Sequence, residues 1–562
     1  MSESAQQKSP ESRGASIVPI LAFLALLGIA FVFGLRATAG VTWPDTDPIG
    51  LTTDLLRDMS SAQTMLDSGY GPDPNFVGER SWYNPLAPAI MAATAALTDA
   101  PLHLVAVRIG TYADLLAPLM FFWMCSVLYD RWTGLFASVG YLFLLPGSFS
   151  SHMSATYSPW FIPVNFVQAC FYLSVIGLYW AYVDGRVRAF VLPGLLWGLT
   201  FVGHTAPALI LGGMIVGWVL GRFWFERRNK RFESSWLPGL LLRIGVMVAG
   251  ALAVSAPLVA IVLGHYGLHV KNLAPGSFSE PLLSKQLPIL IWRHVTIPMF
   301  IAAVGLVVMF KRPSHPLSRR LLLLWIATTC AFLLYSFFRI GLKLIGPVLP
   351  SIVPSFHFFF YFKAATAVLF GIGISEVGRQ IADWWSSRSE RILWLPAGVT
   401  QARAAAFVLC LVLLGMQART YASRPDFTRA RLAALSVTGS DQARVFEWLM
   451  ANRKPNDVAV APDLEASTLF GASGVKAVMV VAGFANPYVD LAPREQARDL
   501  MYAALDRDDS ETFRELAKRY GVTLVFTNEP RTAAYDRHTP ADLELAFAAG
   551  TLRVYRVRQA DQ

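Results

Sequence analysis

Two aspartates four positions apart, Asp54 and Asp58, stand in a stretch with helical character, LTTDLLRDMSSAQTMLDSG. Helical residues at i and i+4 share one face, so the two carboxylates should repel. Repulsion of this kind raises the proton affinity of one partner and makes it available as a base. Asp54 is the first choice for that base, and Asp58 would tune it or hold the second reactant. Arg57 is expected on another face of the helix, poorly placed to neutralise both. The plain alternative is a solvated acidic surface.

The surroundings of the pair favour chemistry. Between Ala37 and Asp99 there are eight Asp/Glu residues and two Arg. A loop that acidic beside a membrane is expected to face away from the cytoplasm. Within it, Leu55, Met59, Ala62, Met65 and Leu66 follow i, i+3, i+4 spacing. A helix with that stripe is suited to lie along the membrane surface. A second helix is expected over residues 86–97, with Pro85 suited to its first turn.

The elements that must position this loop are membrane spans. The chain has 562 residues, 54% hydrophobic and 15% charged, with mean hydropathy +0.45. A soluble protein would carry ~25% charged residues. Apolar runs of ~20 residues suffice to cross a ~30 Å hydrocarbon core. About eleven are legible, near 17–36, 104–128, 134–149, 160–182, 189–204, 206–225, 237–264, 288–310, 320–338, 356–376 and 404–418. The chain therefore reads as a polytopic α-helical membrane protein, with residues 1–16 as a cytoplasmic leader. A cleaved signal peptide is disfavoured, because the first run is long and lacks a clean small-x-small site.

The net charge of +10 does not point to nucleic acid. The basic residues cluster in alternate short loops, among them Arg186 and Arg188, Arg319 and Arg320, and Arg379 and Arg403. That asymmetry places the N-terminus inside and the loop over 37–103 outside. An odd number of spans then puts the C-terminus outside as well. All four cysteines fall in apolar runs and imply no disulfide framework.

From about Asp426 the composition changes. An amphipathic helix is expected over 442–452, and strands over 457–461, 476–481, 523–527 and 551–557, with charged helical stretches between them. Strands alternating with helices predict a soluble, extracytoplasmic α/β domain over 426–562, behind a membrane domain over 17–425.

Several residues, in their order along the chain, resemble the GT-C membrane glycosyltransferases, which use a polyprenyl-phosphate-linked sugar as donor. They are Asp54, then MLDSG at Met65–Gly69, WYNPL at Trp82–Leu86 and VRIG with Arg108. GLTFVGHTAP (Gly198–Pro207) and SFHFFFYFKAA (Ser355–Ala365) add to the likeness. The aminoarabinose (lipid A) transferases and the protein mannosyltransferases share this order. Two departures stand out: Leu55 follows Asp54 where the family often has a second acid, and Asn84 replaces the first of two prolines.

The resemblance implies a GT-C-like fold and transfer of a sugar, with inversion, from a polyprenyl phosphate to a cell-envelope glycan or glycolipid at the outer face of the cytoplasmic membrane. Such a reaction needs a base for the acceptor and cations for the leaving phosphate. Asp54 and Asp58 then serve the acceptor. Arg108 and Lys363 serve the phosphate and should converge beside a cavity open to lipid; a charge such as Lys363 inside a span is a functional candidate by default. Alternatively, Arg108 pairs with Asp114 or a lipid headgroup, and Lys363 snorkels. Trp82 and Tyr83 could stack on sugar, with His204 and His357 beside them. The Asp45-x-Asp47 pair offers ligands for a divalent metal, the only cofactor implied; an Asx turn is the alternative. The competing function is a transporter or flippase of a lipid-linked glycan, which would favour internal repeats; none is legible.

Overall fold

The computed structural model describes residues 17–44, 52–145, 156–228, 236–277, 292, 295–311, 315–343, 345–346, 353–354, 356–387 and 399–558. Each of the eleven apolar runs holds a helix. Among the described residues, eight helical segments are long and apolar enough to cross a membrane. The other three runs hold the shorter helices Arg131–Val139, Val191–Gly203 and Ile297–Lys311.

The helix Phe356–Ser386 is the axis of the bundle. It buries Phe358, Phe360, Tyr361, Phe370 and Ile374. The helix Ile297–Lys311 crosses it at a pair of glycines. A Cβ on Gly305 would run into the carbonyl oxygen of Leu369, and one on Gly373 into that of Ile301. Backbones can approach this closely only where side chains are absent, the usual device of helix packing in lipid.

The loop after the helix Val18–Thr38, expected to be the outer one, carries the helices Thr52–Ser68 and Leu86–Thr98. The apolar stripe of the first was expected to meet the membrane surface. Instead Leu55, Met59 and Ala62 are buried in one protein core with Met91, Phe446, Leu469 and Phe470, and Leu66 is exposed. The C-terminal segment supplies the apolar cover that lipid would otherwise give.

That segment contains a five-stranded sheet in the order β2-β1-β3-β5-β4. Strands β1 (Val458–Val460), β2 (Lys476–Ala477) and β3 (Leu524–Thr527) are parallel neighbours. Strands β4 (Leu543–Ala549) and β5 (Leu552–Val557) extend the sheet antiparallel. Strand β4 was not legible in the sequence. Its burial does not alternate, and a bulge interrupts it between Leu545 and Phe547, so the period-2 signal is lost.

This loop and the sheet are joined by polar contacts. Arg453 grips Asp67 with two hydrogen bonds of 2.6 and 2.9 Å. The Ala477 N–H donates to the carbonyl of Asn75 at 2.8 Å. The buried carboxylate of Asp73 accepts from the N–H groups of Asn75 and Phe76 and from Asn486 Nδ2, at 2.8, 3.0 and 2.9 Å. Tyr266, beyond the helix Trp236–Val259, also accepts from Asn486 at 3.0 Å.

Truncating Asp73 would leave three buried donors without an acceptor, and each such loss costs ~1–3 kcal/mol. Asp73→Ala should therefore lower stability by more than ~2 kcal/mol, read as a fall in Tm of the detergent-solubilised chain. A change within ~0.5 kcal/mol, typical of a surface substitution, would contradict this account of the joint.

Candidate active site

Asp54, Arg57 and Asp58 lie in the first half of the helix Thr52–Ser68. Arg57 was expected to face away from the acids, yet it joins them. Its Nη1 lies 2.9 Å from Asp54 Oδ1. Its Nη2 and Nε donate to Asp58 Oδ1 at 3.2 and 3.3 Å. A long guanidinium reaches both the i+1 and i−3 carboxylates by folding back along the helix, which residue spacing alone conceals. Nη2 also donates to the Tyr83 hydroxyl at 2.6 Å, and the guanidinium stacks 3.9 Å from the Tyr83 ring centre.

The two acids differ in environment. Asp54 keeps 32% of its side chain exposed, whereas Asp58 has none exposed. Burial pushes the Asp58 carboxyl up to about 7, with Arg57 pulling against it. Asp58 Oδ2 has no hydrogen-bond partner among the described residues. Asp54 was expected to be the acid with the raised proton affinity through repulsion. Burial is the first cause of the raised value on Asp58, and Arg57 opposes the repulsion. Burial, followed by Asp58 and Asp54, likewise holds the Tyr83 hydroxyl above its ordinary value.

Tyr83 comes from the WYNPL turn. Asn84, standing where a proline was anticipated, explains how the turn is fixed. Its Nδ2 donates to the Phe201 carbonyl at 2.6 Å, and its Oδ1 accepts from Thr205 Oγ1 at 3.5 Å. Those contacts dock the turn on the break between the helices Val191–Gly203 and Thr205–Arg228. His204 occupies that break in extended conformation. Its ring lies 4.6 Å from that of His357. The Ala206 N–H donates to His204 Nδ1 at 3.2 Å, and His357 Nδ1 donates to the Pro354 carbonyl at 3.0 Å. Both rings interact electrostatically with Arg57. Asp54, Asp58, Tyr83, His204 and His357 thus gather around Arg57, and Trp82 packs edge-on to Tyr83 at 5.5 Å.

Two members of the site went unread in the sequence. Arg57 was set aside, and Phe484 lies far away in the chain. Phe484 approaches the Arg57 guanidinium at 5.6 Å, bringing the C-terminal segment over the site. No local pattern marks it.

The remaining candidates have partners outside this cluster. Arg108 donates to the carbonyl oxygens of Thr38 and, at 3.0 Å, Val41. Thr38 ends the helix Val18–Thr38, so Arg108 satisfies free carbonyls at a helix C-terminus. It does not pair with Asp114, whose buried carboxyl oxygens have no partner among the described residues. Lys363 is buried and interacts with Arg424 and Asp426, which are themselves 2.7 Å apart. Arg108 and Lys363 are held by different partners.

Asp45 and Asp47 lie outside the described residues. Among the described residues no three His, Cys, Asp or Glu groups are placed to hold a metal ion. The described part of the site does not fit a divalent cation, because Arg57 already bridges its two carboxylates.

No protein-family profile matches the chain, and no curated protein matches it in sequence. Solved structures do. ArnT from Cupriavidus metallidurans bound to undecaprenyl phosphate superposes with a TM-score of 0.55 at 12% identity, over 96% of this chain and 98% of that one. The same protein in the apo state gives 0.52 at 12% identity, over 96% and 97%. The oligosaccharyltransferase AglB from Archaeoglobus fulgidus, with an inhibitory peptide and a dolichol-phosphate, gives 0.48 at 13% identity, over 92% and 71%. The chain is a polytopic membrane protein with the fold of the GT-C glycosyltransferases.

Proposed function

We propose that this chain is a glycosyltransferase that moves a sugar from a polyprenyl-phosphate carrier to a cell-envelope acceptor at the outer face of the cytoplasmic membrane, with inversion. The observation that carries the reading is the Asp54–Arg57–Asp58 bridge, set between the outer loop and the bundle. The GT-C fold supports it, as does the undecaprenyl phosphate bound to the similar ArnT. The orientation, with the outer loop and the segment after Asp426 both extracytoplasmic, rests on the alternation of basic loops.

In this reading Asp54 is the base. It is the acid that an acceptor can reach, and Arg57 fixes one of its oxygens. The acceptor hydroxyl or amine gives its proton to Asp54 as its oxygen or nitrogen bonds to the sugar's anomeric carbon. The bond from that carbon to the phosphate oxygen breaks, and the phosphate leaves with the electron pair. Asp58 is a positioning residue, holding Arg57 from the buried side. Tyr83 and Trp82 border the sugar, with His204 and His357 on the bundle side. Lys363 is assigned to the leaving phosphate. Arg108 positions the start of the outer loop, a role its carbonyl partners support. No step is routed through a metal at Asp45 and Asp47.

General-base catalysis contributes ~10²–10⁴-fold in rate. Asp54→Asn should reduce transfer to the acceptor by that order while binding of the polyprenyl-phosphate donor is kept, measured in membranes at matched expression. Near-normal transfer would remove Asp54 from the role of base, and unchanged transfer in both Asp54→Asn and Asp58→Asn would argue against the enzyme reading.

The Asp58 value of about 7 gives a second test. As pH falls through that value Asp58 takes up a proton and Arg57 loses one anionic partner, so transfer should decline on the acid side. Asp58→Asn should be slower throughout and lack that inflection between about pH 6 and about pH 8, one unit either side of the midpoint. An unshifted acid limb in the variant would assign the titration to another group.

A further inference from the structure

We propose a second binding site, for the phosphate headgroup of an anionic membrane lipid, at the end of the bundle opposite the candidate active site. A cavity of about 340 Å³ opens there between the start of the helix Arg131–Val139, the end of Ile297–Lys311, the start of Pro316–Lys343 and the second half of Phe356–Ser386. This size lies in the range of small-ligand sites, roughly 300–1,000 Å³. His357, in the active-site cluster, and Glu376, in the cavity wall, are on the same helix. At ~1.5 Å per residue their separation is about 28 Å, close to the ~30 Å of a bilayer core.

The hydrogen-bonding capacity left in this cavity is that of an anion site. Its two acids already have donors. Glu376 accepts from Arg379 Nε and Nη2 at 3.0 and 2.6 Å and from Gln380 at 3.2 Å. Asp130 caps its helix, accepting from the N–H groups of Trp132 and Thr133 and from Thr133 Oγ1. The Arg319 guanidinium, in contrast, makes no hydrogen bond or ion pair with a described residue. The Tyr129 hydroxyl is buried with no partner among the described residues. His315 stands beside it, ring centres 5.6 Å apart. A phosphate oxygen satisfies guanidinium and phenol together, by charge-assisted bonds.

A lipid, more than a free anion, fits the apolar surroundings. Val308, Met309 and Ile372 form one wall. Val304, Val307 and Phe310, on the helix that carries Val308 and Met309, are 37%, 51% and 58% exposed, a surface along which acyl chains can run. Further basic residues rim this end, including Arg131 and Arg320. Basic pockets between membrane helices are typical seats for anionic headgroups.

The test uses the full chain in mixed micelles, with Tm followed against mole fraction of phosphatidylglycerol, of phosphatidylcholine, or against inorganic phosphate. Phosphatidylglycerol should raise Tm, and the other two should not. Arg319→Gln should shift the half-maximal mole fraction upward about ten-fold, since hydrogen bonds to charged groups are among the stronger ones. Tyr129→Phe, which removes one hydroxyl, serves in its place if Arg319→Gln does not fold. An equal rise with phosphatidylcholine, a rise with inorganic phosphate alone, or a variant that responds like the parent would each overturn the lipid site.

Discussion

The site depends on one guanidinium. Arg57 is 13% exposed in its side chain and carries Asp54, Asp58 and the Tyr83 hydroxyl at once. A buried charge is tolerated only when it is paired and hydrogen-bonded. Arg57 therefore needs both acids, and Asp58, wholly buried, needs Arg57. The planar fork of arginine serves several acceptors in fixed directions, which a lysine could not do. The same contacts hold Asp54 partly in the open, with one oxygen fixed by Arg57.

Everything around this centre keeps the helix Thr52–Ser68 still. From the bundle side, Asn84 pins the Tyr83 turn to the helix break at His204. From the other side, the C-terminal segment buries the helix's apolar face and clamps its end through Asp67 and Arg453. Arg108 caps the membrane helix from which the loop departs. The helix Thr52–Ser68 is thus packed between bundle and sheet, with Phe484 of the C-terminal segment reaching Arg57.

The sequence carried much of this and hid specific parts. Apolar runs mark membrane helices because hydrocarbon leaves no alternative for the backbone; each run holds a helix, and eight of the described helical segments are long and apolar enough to span. The gathering of Asp54, Asp58, Tyr83, His204 and His357 was legible only through the GT-C likeness, since the five come from three distant segments. What failed was orientation of side chains. Spacing placed Arg57 on another face, yet its length lets it return to both acids. The apolar stripe of the same helix was assigned to lipid, because a sequence does not say whether protein or membrane will cover such a face. Strand β4 was missed because edge pairing and a bulge erase its alternation. Phe484 and Asn486 meet the loop only through tertiary contact, for which local pattern holds no signal.

The central claim is that the cluster of Asp54, Arg57 and Tyr83 receives a polyprenyl-phosphate sugar. Single-particle imaging of the full chain in nanodiscs with a polyprenyl phosphate addresses it most directly. The account predicts density for the phosphate between the outer loop and the bundle, with the sugar end directed at Asp54, Tyr83 and the His204–His357 pair. Direct contact requires heavy-atom distances of ~3 Å. Lipid phosphate bound elsewhere on the chain, with the Asp54–Arg57–Tyr83 cluster untouched, would contradict it.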